Sequence, residues 1–492
     1  MVPKHYTNVG LTGLSSRKTC LLVCVALLLL AAAMVGVMPQ EGFASASASS
    51  SERPIENSWT AKMPMHHARC YLGVAVVNGR IYAIGGSTQQ GSSPDDLSGG
   101  VIGTNEEYNP KTDTWTYKRA MPTPRHYFAT AVYQNKIYCI GGYTSNGTVT
   151  RANEVYDPAT DTWETKTAMP TARIGLEANA ANGKIYLIGG YVPAYYTTYN
   201  FSSSFLTLNE VYDPATDSWT MKASMPTASS GYASAVVDNK IYIIDSNLNQ
   251  IYDTETDMWS QGTSSPSRIG YGKAGTTIGV NAPKLIYVLG QDYSFSEPPY
   301  INRVYDTAND TWTVGATVPT ERNGFGVAVV NDMLYAIGGF TETFDMHWDS
   351  HITIYATNEQ YTPFGYGTVP PTVTVVSPEN MTYASSNVSL AFTVNKQVSW
   401  MGYSLDGQET VTVTGNTTLP ALSNGLHSLT VYAKDTFGNT GASETVSFTV
   451  EAPFPATLVV APVASVVVVG AVLAIYFKKR KRQAENHFVK KS

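Results

Sequence analysis

An all-β fold built from a repeated four-stranded unit is what this 492-residue sequence predicts. Three observations carry that expectation. Charged residues make up only 14% of the chain against 40 Gly, 32 Tyr and 8 Trp, a balance that favours turn-rich strands over helices. An eleven-residue segment, NEVYDPATDTW from Asn153 to Trp163, returns at Asn209 to Trp219 with a single Thr-to-Ser change. Finally, Asn-x-x-Tyr recurs at Asn105/Tyr108, Asn153/Tyr156, Asn209/Tyr212, Asn249/Tyr252, Asn302/Tyr305 and Asn358/Tyr361, which is the mark of a structural repeat rather than of a catalytic motif.

The elements follow in chain order. Lys4, Arg17 and Lys18 precede an uncharged run from Cys20 to Met38, and Ala44-Ser45-Ala46 resembles a signal-peptidase site. Residues 1–46 therefore read as a cleaved signal peptide or a retained signal anchor, with 47–54 a linker. Within each repeat a Tyr-bearing run (IYAIGG, IYCIGG, IYLIGG, IYIIDS, IYVLGQ, LYAIGG) precedes the Asn-x-x-Tyr unit. Most of these runs follow Asn-Gly, Asn-Lys or Asn-Asp, and Asn-Gly between apolar runs specifies a type I′ hairpin because that turn needs positive φ at both central residues. DPATDTW is a second tight turn, where Pro fixes φ and Asp bonds its own backbone. Each unit is thus strand a, tight turn, strand b, variable loop, strand c, tight turn, strand d. In the first five units a Trp follows the Tyr by seven residues, at Trp115, Trp163, Trp219, Trp259 and Trp312.

The double Gly, the Tyr and the unit-ending Trp at a period of 40–56 residues resemble kelch repeats, whose four-stranded units form the blades of a β-propeller. The resemblance spans residues 55–367. Its local departures are Asp245-Ser246 and Gly290-Gln291 in place of Gly-Gly, and a sixth unit with Thr368 where Trp belongs. The sixth unit lacks strand d, whereas Trp59 with Met63-Pro64 forms a strand d with no strand c before it. A six-bladed ring closed by pairing the Trp59 strand with the Tyr361 strand follows, since closure removes an unpaired edge. The repeat tyrosines and tryptophans are expected to pack between blades.

Length variation concentrates in the b–c loops, which hold 18, 10, 18, 2, 10 and 18 residues. Together with the d–a loops they lie on one face, so ligand binding is expected there. Arg69, Arg125, Arg173 and Arg322 each stand sixteen residues before the first Gly of the pair, with Arg268 in the corresponding unit and Ser229 breaking the series. Five guanidiniums at the channel mouth would form an anion funnel, and the position resembles the one from which kelch adaptor domains engage acidic peptides. Alternatively each Arg satisfies loop carbonyls or a neighbouring carboxylate and ties blade to blade. Glu177 interrupts Gly73, Ala129, Ala233 and Gly326 at the same offset, so Arg173 and Glu177 would share a channel-facing side and are the candidate catalytic pair. Tyr195, Tyr196 and Tyr199 in the third b–c loop suit stacking on a sugar or a protein partner, or packing on the rim. Asp345, His347, Asp349 and His351 alternate in the sixth loop, but their spacing matches no known metal site; no metal and no cofactor is expected.

Pro370-Pro371 opens a different pattern of short alternating strands to residue 452, which resembles an immunoglobulin-like or fibronectin-like sandwich and would act as a stalk. Pro455 to Phe477 is uncharged, long enough to span a bilayer, and stops at KKRKRQ; positive charge stays inside, so residues 478–492 form a basic cytoplasmic tail. The predicted location is the cell membrane, single-pass, with propeller and sandwich outside. Six sequons agree with that placement: Asn146, Asn200, Asn309, Asn380, Asn387 and Asn416. A net charge of −6 leaves no nucleic-acid footprint. With two cysteines in the leader, only Cys70 and Cys139 remain, and they read as buried free thiols. The predicted function is a membrane-anchored surface propeller that binds a glycan or an acidic protein or peptide through its arginine-bearing face. The alternatives are an exported enzyme resembling the sialic-acid mutarotases and a structural surface-layer component; the Tyr, Cys and His signature of the copper-radical oxidases is not recognisable.

Overall fold

A computed structural model describes residues 53–89, 100–193, 204–292, 300–344, 350–452 and 471–482. Six four-stranded antiparallel sheets lie within the first five segments. Their a strands are Gly73–Val77, Ala129–Tyr133, Glu177–Ala181, Ala233–Val237, Ile269–Thr276 and Gly326–Val330. Each a strand contacts the next, and the sixth contacts the first, so the sheets are the blades of a closed ring. Closure comes from Ser58–Lys62, which supplies strand d of blade six in antiparallel register, with Trp59 opposite Tyr361. The a–b turns carry the chemistry that type I′ geometry demands: Asn78-Gly79, Gln134-Asn135, Asn182-Gly183, Asp238-Asn239 and Asn331-Asp332 all have positive φ at both central positions.

The repeated NEVYDPATDTW segment works as a clamp between blades. In blade two the Tyr156 hydroxyl donates to Asp161 Oδ1 at 2.7 Å. The same oxygen accepts the Arg119 amide of blade one at 2.8 Å, while Trp163 Nε1 donates to the Arg119 carbonyl at 2.9 Å. Both backbone groups of one residue leaving the preceding blade are thereby held. Asp113/Trp115, Asp217/Trp219, Asp257/Trp259 and Asp310/Trp312 repeat the arrangement on Met63, Thr167, Ala223 and Thr263. At the closing seam Asn57 replaces the Asp: its Oδ1 accepts the Ala316 amide at 2.5 Å and the Tyr361 hydroxyl at 2.8 Å, and Trp59 Nε1 donates to Ala316 O at 2.9 Å.

Packing follows the same six-fold rule. Each c-strand Tyr leans on the Trp of its own blade, as Tyr156 does on Trp163 at 5.1 Å, and meets the b-strand Tyr of the blade before, as Tyr156 meets Tyr82 at 5.8 Å. The series ends with Tyr335 of blade six against Tyr108 of blade one at 5.9 Å. The double glycines permit this closeness. Gly338 has φ of 70°, and a Cβ there would sit 2.5 Å from the Arg69 carbonyl of the next blade. Cys70 and Cys139 are buried free thiols, pushed up to about 12 by burial.

After the ring, a three-stranded and a six-stranded sheet enclose one core that includes Val373, Leu390, Phe392, Leu419, Val431 and Phe448. This second body is fixed to the c–d turn side of the propeller. Asn439 Nδ2 donates to Gly367 O at 2.7 Å, Arg53 Nη2 donates to Asn439 Oδ1 at 3.0 Å, and Tyr366 meets Phe437 edge-on. Residues 471–482 form a helix with every side chain exposed. Among the described residues no helix is long and apolar enough to cross a membrane; most of the predicted span 455–477, and the leader 1–46, lie outside the described residues.

Candidate functional site

The arginine series is a correction. Arg69, Arg125, Arg173 and Arg322 are all 0% exposed and do not face the channel. Each guanidinium points back into its own blade. Arg173 donates to the carbonyls of Gly189, Thr171 and Leu187 at 2.9–3.1 Å and pairs with Glu210. Arg69, Arg125 and Arg322 do the same with Glu106, Glu154 and Glu359 at 2.9, 2.5 and 2.5 Å. Burial pulls Arg69 down to about 10, with Glu106 opposing the shift, so it stays charged at neutral pH. These four are spent on holding strands b and c together, and the ligand-facing assignment does not hold for them. The partner carboxylate is always the residue after the repeat Asn, and it changes with the Arg. In blade four Ser229 faces a neutral Gln250, which exchanges hydrogen bonds with the Thr227 backbone at 2.8 and 3.1 Å. In blade five the cation itself moves to Arg303, which donates to Ser267 Oγ. Arg268 is exposed although it keeps the place of the series, since Ile269 pairs with Asp292 as Ile174, the residue after Arg173, pairs with Tyr191.

The channel mouth is lined instead near the starts of the a strands. Gly73, Ala129, Glu177 and Ala233 pair with the last Ile of their b strands, as does Gly326. In blade five a bulge between Gly270 and Lys273 shifts the register, and Lys273 takes this position opposite Leu289. Two of the six positions are therefore charged, with opposite sign, and Lys273 Nζ donates to Glu177 Oε1 across the intervening blade. Glu177 thus lines the mouth as expected, but its cation is Lys273; Arg173 does not join it. The Glu177 amide donates to the Tyr232 hydroxyl at 3.2 Å, and that hydroxyl donates to Ile188 O, which locks the start of this strand.

Two residues earlier, the six blades present Tyr71, Tyr127, Gly175, Gly231, Tyr271 and Gly324, and all six have φ between 48° and 65°. That left-handed conformation suits glycine; for a residue with a large side chain it is a true outlier costing about 1–2 kcal/mol. Tyr71 and Tyr127 stack at 3.9 Å between centroids. Tyr71 also covers Gly324, where a Cβ would lie 2.9 Å from its ring, and Tyr191 covers Gly175 in the same way. Tyr271 is 47% exposed. Burial raises the phenols of Tyr71 and Tyr127 well above the ordinary tyrosine range, so both keep their protons. The tyrosines, the three glycines and the Glu177–Lys273 pair line one recess open to solvent.

Behind the tyrosines His126 is fully buried, and among the described residues neither ring nitrogen has a hydrogen-bond partner. Its ring lies 5.6 Å from Tyr143, 6.0 Å from Tyr127 and 6.3 Å from Tyr71. Burial lowers its pKa from 6.5 to about 4. The unfolded chain binds a proton that the folded one refuses, so stability is full above pH 6.5 and falls as pH drops toward 4, by roughly 3 kcal/mol at about 1.4 kcal/mol per pH unit. His126→Leu should remove that part of the slope. Urea unfolding of both proteins at pH 7 and pH 5 checks this, and parallel losses would refute it.

Tyr195, Tyr196, Tyr199, Asn200, Asp345, His347 and Asp349 lie outside the described residues. Among the described residues no group of three metal-ligating side chains occurs. The sequon residues Asn146, Asn309, Asn380, Asn387 and Asn416 are exposed. The three mouth tyrosines were not singled out from sequence, although glycine at the same offset in the other three units was the signal for them.

Six radially stacked four-stranded sheets with a closed seam and a lined central mouth define a β-propeller. Residues 54–245 match the family described as the KLHDC2/KLHL20/DRC7 Kelch-repeats domain. Kelch-like protein terF of Aspergillus terreus is 33% identical over 127 residues, covering 24% of this chain and 27% of that protein. Kelch-like protein 15 of Danio rerio is 29% identical over 203 residues, covering 39% and 32%. The chain thus spans about a third or less of these relatives. The solved structure of YjhT aligns with a TM-score of 0.44 at 16% identity, covering 59% of this chain and 98% of that one.

Proposed function

We propose that this protein is a recognition module of the cell surface, whose propeller binds a ligand at its channel mouth. The single observation that carries this reading is the trio of tyrosines in left-handed backbone. Packing alone is served by glycine at the three equivalent positions. Strain retained around a charged pair and a cavity is what a functional site keeps. The b–c and d–a loops surround the mouth, and the second β body attaches on the opposite side, so the mouth would face away from an anchor. In this reading residues 370–452 are a stalk resembling an immunoglobulin-like domain, 455–477 the membrane span, and protein or carbohydrate the partner. With Arg69, Arg125, Arg173 and Arg322 committed to their own blades, an anion funnel of the kind that acidic peptides or a mutarotase-like site would need keeps only Arg268 of its five members.

The test is to display the full chain on cells and screen it against glycan and protein libraries. Tyr271→Gly should abolish or weaken capture at least tenfold. Its stability should stay within about 0.5 kcal/mol, because relief of left-handed strain offsets the added freedom of the unfolded chain. Undiminished capture by this variant and by Tyr127→Gly would remove the mouth from consideration.

A further inference from the structure

We infer that the mouth takes the end of an uncharged, hydroxyl-rich ligand, a neutral sugar, and discriminates against acidic sugars. This rests on the binding reading above and specifies its ligand. The cavity is lined by one cation and one anion, already paired with each other, while their side chains remain 33% and 22% exposed. An incoming carboxylate would have to draw Lys273 away from Glu177. It would then leave that glutamate without its partner and close to a second negative charge. A sugar bearing adjacent hydroxyls has no such conflict: one hydroxyl donates to the Glu177 carboxylate, its neighbour accepts from the Lys273 ammonium, and the pair stays together. Among the described residues no other cation lines this cavity, and Arg69, Arg125, Arg173 and Arg322 are buried inside the blades.

The remaining lining fits the same ligand. The equivalent residues of the other four blades, Gly73, Ala129, Ala233 and Gly326, are small and buried between blades, so they add no side chain to the charged layer. The rim above it is aromatic, with protonated phenols on Tyr71 and Tyr127 that donate or accept. The site is a recess in the channel mouth rather than a flat surface. It suits a chain terminus rather than an extended polymer laid across a surface.

The experiment uses the full chain in a detergent without a sugar headgroup. Saturation-transfer NMR and calorimetry are run with methyl galactoside, methyl mannoside, methyl glucoside and N-acetylneuraminate. At least one neutral glycoside should bind the native protein tenfold or more tightly than N-acetylneuraminate. Glu177→Gln frees Lys273 and should shift that ratio at least tenfold toward N-acetylneuraminate; Lys273→Met should shift it the other way. Circular dichroism confirms that both variants are folded. Equal binding of the acidic sugar by the native protein, or a ratio that Glu177→Gln leaves unchanged, overturns the inference. So does binding of none of the neutral glycosides; in that case capture of another ligand that is lost in Tyr271→Gly would still uphold the mouth as a site.

Discussion

Arg173→Ser is expected to cost 3–5 kcal/mol, and adding Glu210→Gln is expected to return at least 1.5 kcal/mol of it. The single change leaves Glu210, 1% exposed, without the guanidinium that neutralises it, and strips hydrogen bonds from three carbonyls. Uncompensated buried charge is the dominant loss. The double change copies blade four, where Ser229 and Gln250 hold the same place and the amide bonds the Thr227 backbone in both directions. Thr171 stands ready to be bound likewise, since its hydroxyl already donates to Glu210 at 2.6 Å. A double-mutant cycle from urea unfolding reads the coupling. The pH dependence adds a check of sign: in Arg173→Ser the lone carboxylate would have a raised pKa, so its deficit should shrink as pH falls toward 5. Additive losses would show that the pair is not the unit of stability.

Trp59→Ala is expected to cost about 3 kcal/mol and to loosen one seam before the others. Trp59 stacks with Tyr361 at 5.0 Å and holds Ala316 O, so its loss opens the contact between blades five and six. Hydrogen exchange should rise first in Asn358–Thr362 and Thr311–Val314, while blades two and three stay protected. Asn57→Asp at the same seam should stabilise by about 0.5–1 kcal/mol, because it restores the carboxylate acceptor present in the other five clamps and strengthens both bonds it accepts. Uniform exchange throughout the ring in Trp59→Ala would mean that the seam has no separate identity.

The ring and its seam were legible because the devices that make them are local and repeated. Asn-Gly turns announce the hairpins, and the Trp missing at Thr368 could be matched to the surplus one at Trp59. The arginines were legible as a series but not in direction. Sixteen-residue spacing gives register, whereas whether a side chain enters the channel or the blade depends on the loop before strand a. The decisive signal was in the partner: Glu106, Glu154, Glu210 and Glu359 accompany arginine, and Gln250 accompanies Ser229. Lys273 stayed hidden because the blade-five bulge displaces it from the count that isolated Glu177. The left-handed tyrosines escaped because aromatic residues near strand starts ordinarily signify packing, and φ cannot be read from a Tyr as it can from a conspicuous Gly.

The seam also has a temporal consequence. Asn57 and Tyr361, which bond each other in the finished ring, are 304 residues apart in the chain. During synthesis from the N-terminus, Ser58–Lys62 emerges first and finds its partner last. Five blades can form while this strand waits as an unpaired, tryptophan-bearing edge, the kind of segment on which slow, non-local folding and mispairing between neighbouring chains depend.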